Sequence, residues 1–102
     1  MRFVSLVSCL AIACAPPDVD AACKNFLDAA NGCNRDYAKE YDVEPVLLDD
    51  ELCEAETSGL SDDELKDAAD RYDCKYDVYA NANCRIEEEY ESANADADSC
   101  DE

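Results

Sequence analysis

The feature that most constrains how this chain can fold is a set of six cysteines in two similar groups. The first group is Cys23, Cys33 and Cys53, and the second is Cys74, Cys84 and Cys100. In each group, nine residues separate the first two cysteines. The chain has no histidine and no Cys-x2-Cys motif, so neither zinc binding, haem attachment nor thioredoxin-type chemistry is indicated. We therefore predict that these six cysteines form disulfides.

The sequence around the two groups is also similar. Residues 23–33 align with residues 74–84, with a lysine after the first cysteine, an aliphatic residue three positions later and an alanine two after that. We interpret 23–53 and 74–100 as an internal repeat. It reflects either a duplication or chance in a chain rich in alanine and aspartate, and two copies are too few for a solenoid.

Length and charge explain why such a chain needs covalent support. Its 102 residues allow one domain. Its net charge of −19 destabilises the compact state, because the like charges repel one another. Tryptophan is absent and aliphatic residues are sparse, so the core is thin. Small domains in this position are usually held by disulfides, which persist in oxidising compartments.

The first half of the mature chain predicts one long helix and one short one. Asp18 is a good N-cap, and apolar residues then recur at steps of four and three from Val19 to Tyr41. This helix should end before Pro45. A short second helix should follow from Val46 to Cys53, with a break at residues 57–59.

Ser61 and Glu64 form a capping box that starts a third helix. Its four-three step of apolar residues continues as far as Tyr90, and there is no Gly or Pro from residue 60 to the end. Cys74 and Cys84 lie off this stripe, so the helix either buries two faces or kinks near residues 72–74. Residues from Asn94 onward are predicted to be a polar, frayed tail.

Together these elements predict an all-α fold, a small disulfide-stapled bundle of about three helices. We assign residues 1–13 to a signal peptide, 14–20 to a linker after the anchor, and 21–102 to a cysteine-rich acidic helical domain. The apolar run in the signal is too short for a membrane span, which needs roughly 20 residues.

The end of the signal, Leu10-Ala11-Ile12-Ala13-Cys14, resembles the lipobox of bacterial lipoproteins. In that family the peptide is cut before a cysteine that carries lipid, so the resemblance implies lipidation of Cys14. It covers only the first 14 residues, and the family prefers Leu where Ala11 stands. Loss of Cys9 with the signal and lipidation of Cys14 leave an even set of six cysteines. The alternative is an ordinary secretory signal that removes Cys14.

The disulfide pairing stays open among 15 possibilities. In an antiparallel two-helix hairpin, Cys23–Cys84 and Cys33–Cys74 share one register, and this weakly resembles the twin Cys-x9-Cys helical proteins of mitochondria. That hairpin leaves Cys53 and Cys100 too far apart to bond. We favour a break near Asp73, with Cys23 level with Cys74 and with Cys33–Cys53 and Cys84–Cys100 closing inside each repeat.

The remaining residues favour binding or structure over catalysis. No nucleophile motif or glycine-rich loop accompanies the carboxylates, so no catalytic residue, metal site or cofactor is predicted, and the charge disfavours nucleic acid. Asn94-x-Asp96-x-Asp98 begins like a calcium loop but lacks its Gly and closing Glu. The six tyrosines are expected to be half-buried core.

We therefore expect an exported cell-envelope lipoprotein with a binding or structural role, attached to the membrane through its lipid and facing an oxidising compartment. Its acidity indicates either a basic protein partner or tolerance of a salty exterior. The alternative is a freely secreted cysteine-rich signal, toxin or effector protein.

Overall fold

A computed structural model describes residues 18–101. The predicted signal peptide and the predicted lipidation site Cys14 lie outside the described residues. Within them the fold is all-α, as predicted, with four helices where about three were expected. These are α1 (Val19–Tyr41), α2 (Glu51–Thr57), α3 (Asp62–Asn81) and α4 (Glu87–Ser99).

Helix α1 begins and ends where its sequence predicts. The side chain of Asp18 accepts a hydrogen bond from the backbone N–H of Ala21 at 3.0 Å, which caps the first turn. The helix ends at Tyr41 because Asp42 adopts a left-handed conformation with φ of 53°, and its N–H donates to the carbonyl of Ala38. The chain is thereby turned before Pro45.

Helix α3 starts at the predicted capping box. The Ser61 hydroxyl accepts from the N–H of Glu64 at 3.3 Å, and the Glu64 carboxylate accepts from the N–H of Ser61 at 3.0 Å. These hydrogen bonds lower the pKa of Glu64. The helix then continues without a break through Asp73, so the kink favoured near that residue is wrong.

The hydrophobic core lies where the first half of α1 packs against α2 and the first half of α3. We call this region the core end; its central residues are Cys23, Phe26, Leu27, Ala30, Cys53, Ala68, Ala69 and Tyr72. The Phe26 and Tyr72 rings stack with centroids 5.9 Å apart. Alanine, cysteine and aromatic side chains therefore fill space that leucine and isoleucine occupy in most helical cores.

The predicted third helix is interrupted later than expected, between Asn81 and Glu87. Asn83 holds the connection, because its side chain accepts from the N–H of Arg85 at 3.2 Å and its own N–H donates to Glu89 at 3.1 Å. Such local side-chain hydrogen bonds compete with helical ones. The expected frayed tail is also wrong, since α4 continues through these residues to Ser99.

All six cysteines of the described region are paired. The bonds are Cys23–Cys53, Cys33–Cys84 and Cys74–Cys100, with Cα–Cα distances of 5.8, 5.2 and 5.9 Å. Neither the favoured pairing nor the hairpin pairing is correct. The reason is that α4 packs back against α3, which returns Cys100 to Cys74, and that α2 packs back against α1.

The observed pairing nevertheless follows the internal repeat. In each copy, the first cysteine bonds to the third, with 30 residues of separation in one copy and 26 in the other. The second cysteine of one copy bonds to the second cysteine of the other. The disulfide pattern is therefore the same in both repeats.

Candidate functional site

The connection between α1 and α2 presents the most distinctive surface of the described region. Its end is fixed by Asn31, a half-buried residue of α1. The Asn31 side chain accepts from the N–H of Leu48 at 2.7 Å and donates to the Leu48 carbonyl at 3.1 Å. Its beginning is fixed by a hydrogen bond of 3.0 Å from the N–H of Val43 to the carbonyl of Ala38. Both ends of the segment are thus attached to one helix.

Between these two attachments, three aliphatic side chains face solvent. Val43 is 51% exposed, Val46 is 70% exposed and Leu47 is 48% exposed. We call residues 43–47 the apolar loop. Pro45 restricts the backbone at its centre, and the Leu48 side chain that follows packs against the core. The loop is therefore anchored, while its apolar side chains stay outside.

This exposure is unusual for a chain so poor in aliphatic residues. Between residues 18 and 101, four Val, Leu and Ile residues are exposed and Leu27 is the only buried one. Three of the four exposed residues lie in the apolar loop, and the fourth is Ile86. Scattered exposed aliphatic residues are normal on protein surfaces, whereas these three lie within five consecutive residues of a fixed segment.

Acidic residues surround the apolar loop. Asp42, Glu44, Asp49 and Asp50 are all exposed, and none of them forms an ion pair with another described residue. On the side facing α1, the loop borders a cleft of about 400 Å³ that contains Arg35 and Lys39. The border of the loop thus carries four carboxylates without ion-pair partners, and two cations, Arg35 and Lys39, lie beside it.

A second distinctive region lies at the far end of α1. We call it the tyrosine end; it consists of Tyr37, Tyr41, Tyr90 and the Cys33–Cys84 disulfide. The rings of Tyr37 and Tyr90 stack with centroids 3.9 Å apart, and those of Tyr37 and Tyr41 are 4.7 Å apart. Together they join α1 to the beginning of α4.

The hydroxyls of the tyrosine end all have polar partners. Tyr90 donates to Asn34 at 2.9 Å, Tyr37 donates to the Glu87 carboxylate at 3.3 Å, and Tyr41 accepts from the N–H of Glu87 at 2.9 Å. Partial burial and the negative charge of Glu87 raise the pKa of Tyr37. Through these contacts the three tyrosines hold α1 against the start of α4.

The other tyrosines divide between core and surface. Tyr72 is buried and donates to the Glu56 carboxylate at 2.6 Å, and burial together with this carboxylate raises its pKa. Tyr79 is half-buried, and burial raises its pKa as well. Tyr76 is 40% exposed, as is Tyr41, so the prediction of half-buried core is wrong for these two.

The remaining clefts are small, open and lined by charged side chains. One of about 280 Å³ contains Lys39 and Arg85 facing Asp36 and Glu40. Another of similar size lies between α2 and α3, where Arg71 and Lys75 form ion pairs with Asp101. Neither cleft combines a nucleophile with a base.

The acidic motifs noted in the sequence lie on helices. Asn94, Asp96 and Asp98 belong to α4, and the Asn94 side chain accepts a hydrogen bond from the Tyr79 hydroxyl at 2.8 Å. Among residues 18–101, no group of three acidic or cysteine side chains is arranged to hold a metal ion. None of the four helices combines the length and apolar character that crossing a membrane requires.

Comparison with known proteins gave no relative. The chain matches no family model, no curated protein and no solved structure.

The apolar loop is not among the sites that the sequence predicts. Residues 46–48 were expected to start the short second helix, whereas α2 begins at Glu51. A signal was present, because aliphatic residues on both sides of Pro45 are bordered by acidic ones. The side chain that fixes the loop, Asn31, could not be identified from the sequence, since it lies 17 residues from its partner.

Proposed function

We propose that this chain is an exported protein whose acidic, disulfide-stapled helical domain acts as a binding module outside the cytoplasm. The observation that carries the proposal is the framework of three disulfides, which link α1 to α2, α1 to the α3–α4 connection, and α3 to the end of α4. Three such bonds fit an oxidising, extracellular compartment.

The proposed attachment is a lipid on Cys14, at the cell envelope. Two observations support it. The sequence before Cys14 resembles a lipobox, and the six cysteines between residues 18 and 101 bond only to one another. Cys14 therefore has no role in the disulfide framework of the domain, as a lipid-bearing cysteine requires.

The alternative is a freely secreted signal, toxin or effector protein. The same disulfide framework favours it, because small secreted domains commonly rely on several disulfides for stability. In this alternative Cys14 is removed with the signal peptide and the domain diffuses freely.

We propose binding in preference to catalysis. Two clefts of the described surface are open and lined mainly by charged side chains, whereas substrate sites are usually concave and largely apolar. The most exposed aliphatic side chains lie on a fixed segment between α1 and α2 instead. Such a surface suits contact with another protein, and the net charge of −19 favours a basic one.

Intact-mass and peptide mass spectrometry of the protein from its native host tests this proposal. A mature chain that starts at Cys14 and carries diacylglyceryl there supports the anchored form. A mature chain that starts beyond Cys14 and is recovered from cell-free medium supports the secreted form. Recovery of the unprocessed chain with reduced cysteines inside the cell would contradict both.

A further inference from the structure

The apolar loop and its acidic border define one kind of partner. We propose that Val43, Val46 and Leu47 dock into an apolar pocket on another protein, and that basic residues around that pocket pair with the carboxylates bordering the loop. This inference rests on the proposed binding function and adds to it the site and the chemistry of the partner.

Exposure of the three aliphatic side chains is costly for this domain. Each of them is about half exposed or more, although the core of the same domain is filled largely with alanine and cysteine. Burying an aliphatic side chain is favourable relative to leaving it in water. A chain short of aliphatic residues gains stability by placing them inside, so three on one exposed segment favour a role outside the core.

The loop is also held in position before any partner binds. Asn31 makes two hydrogen bonds to the backbone of Leu48, and Val43 bonds back to α1. A surface that is already ordered loses less conformational entropy on association than a mobile one. The attachments thus suit the loop for binding and do not bury its side chains.

Charge complementarity favours the same kind of partner. The four carboxylates that border the loop have no ion-pair partners, so a basic rim on the other protein would meet unpaired carboxylates. Apolar centres with polar, complementary rims are the usual anatomy of protein interfaces. Arg35 and Lys39 share a cleft with one of these carboxylates. Lys24 lies near another, Asp50, but forms its ion pair with Asp20. The border therefore keeps an excess of negative charge.

A lipid surface is the other occupant to consider, and the geometry disfavours it. The acidic border would be repelled by anionic headgroups. Moreover, the two ends of the loop are attached to α1 beside Asn31 and Ala38, which lie about 18 and 28 Å along the helix from Val19. In the anchored form the loop therefore lies on the flank of the domain and not at its attached end.

The test is an NMR titration of the processed, oxidised, ¹⁵N-labelled protein. The probe is an amphipathic helical peptide with leucine on one face and lysine on the other. We expect the largest amide shifts at residues 42–50, and no comparable shifts with a polylysine of equal charge. Equal effects of the two peptides, or shifts spread over all acidic faces, would overturn the proposal. Because processing and lipidation are read separately by mass spectrometry, failure here leaves the export proposal intact.

Variants separate the two components of the surface. V46S/L47S should weaken peptide binding at least tenfold, while Y76S, which removes another exposed side chain on α3, should change it less than twofold. E44Q/D50N should weaken binding about threefold, against no change for D67N/D70N. Loss of binding in Y76S, or unchanged binding in V46S/L47S, would contradict the assignment.

Zwitterionic vesicles supply the last comparison. We expect no sedimentation of the delipidated protein with phosphatidylcholine vesicles. Sedimentation that V46S/L47S abolishes would show that the loop inserts into lipid and would overturn the protein-partner proposal. None of the substituted side chains forms a hydrogen bond to another described residue, so we expect each variant to keep the fold. Thermal unfolding of each variant checks this.

Discussion

The core end and the tyrosine end of this domain are held together by different interactions. At the core end, Leu27 is 1% exposed and packs with Phe26 and Tyr72 around the Cys23–Cys53 disulfide. At the tyrosine end, the rings are partly exposed, and their hydroxyls bond to exposed polar groups. Burial dominates the first region, whereas stacking, hydrogen bonds and one disulfide dominate the second.

The difference shows how a chain with few aliphatic residues can stabilise two ends of a long helix. A tyrosine supplies a large apolar ring and a polar group that can stay near water, so it packs where complete burial is impossible. The disulfide Cys33–Cys84 is then the covalent support of the region that has least apolar burial. Four changes test this comparison, from the largest expected effect to the smallest.

Removing the disulfide of the tyrosine end should have the largest effect. C33A/C84A is expected to lower the free energy of unfolding by about 4 kcal/mol, because the closed loop is long and little packing remains to replace it. Hydrogen exchange should accelerate at the amides of residues 87–90. The measurements are urea unfolding and exchange followed by mass spectrometry.

The matching variant at the other end is C23A/C53A. It should lose a similar amount of stability but leave exchange at residues 87–90 unchanged. If the two variants accelerate exchange in the same amides, the two ends unfold as one unit and the comparison fails.

Truncation in the core should have the next largest effect. L27A is expected to cost about 3 kcal/mol, since it removes a buried side chain and leaves a cavity. L47A, the same change in the apolar loop, should cost less than about 0.5 kcal/mol because that side chain is exposed. Chemical denaturation of both variants measures the difference, and equal losses would show that the loop packs onto the domain.

A single hydroxyl at the tyrosine end should have a smaller effect. Y90F removes the hydrogen bond to Asn34 but keeps the stacked ring, so a loss of about 1 kcal/mol is expected. Y76F is the control, because the Tyr76 hydroxyl has no described partner. Thermal unfolding of the two variants tests this, and no difference between them would mean that stacking alone holds this end.

High pH should weaken the fold through three tyrosines. The pKa values of Tyr37, Tyr72 and Tyr79 are raised from 10.0 in the folded chain. Between pH 10 and those raised values the folded state binds more protons than the unfolded state, so stability is complete below about pH 10 and falls as pH rises above it. Absorbance at 295 nm should show tyrosines that ionise at higher pH in the native protein than in urea. Identical titration curves in the two conditions would contradict the prediction.

Local sequence signals predicted the starts of α1 and α3 well. Asp18 and the Ser61–Glu64 capping box act within one turn, so their effect does not depend on tertiary contacts. The left-handed turn at Asp42 and Pro45 likewise ends α1 where expected. These features, with the six cysteines, were enough to predict an all-α disulfide-linked fold.

The disulfide pairing could not be derived in the same way, because it depends on where the chain reverses. Apolar residues recur through Tyr79 and Tyr90 at helical spacing, yet the chain turns between them at Asn83. The signal was the Asn81-Ala82-Asn83 segment, since asparagine favours local hydrogen bonds over helix continuation. Because the chain reverses there, α4 runs back along α3 and brings Cys100 to Cys74.

The disulfide framework also determines what a protease can do to this domain. The three bonds span residues 23–53, 33–84 and 74–100, and these intervals overlap. Any single backbone cut between Cys23 and Cys100 therefore leaves both pieces covalently joined. A nicked molecule should keep its full mass on a non-reducing gel and separate only after reduction, which gives the domain a tolerance of cleavage that its helices alone would not provide.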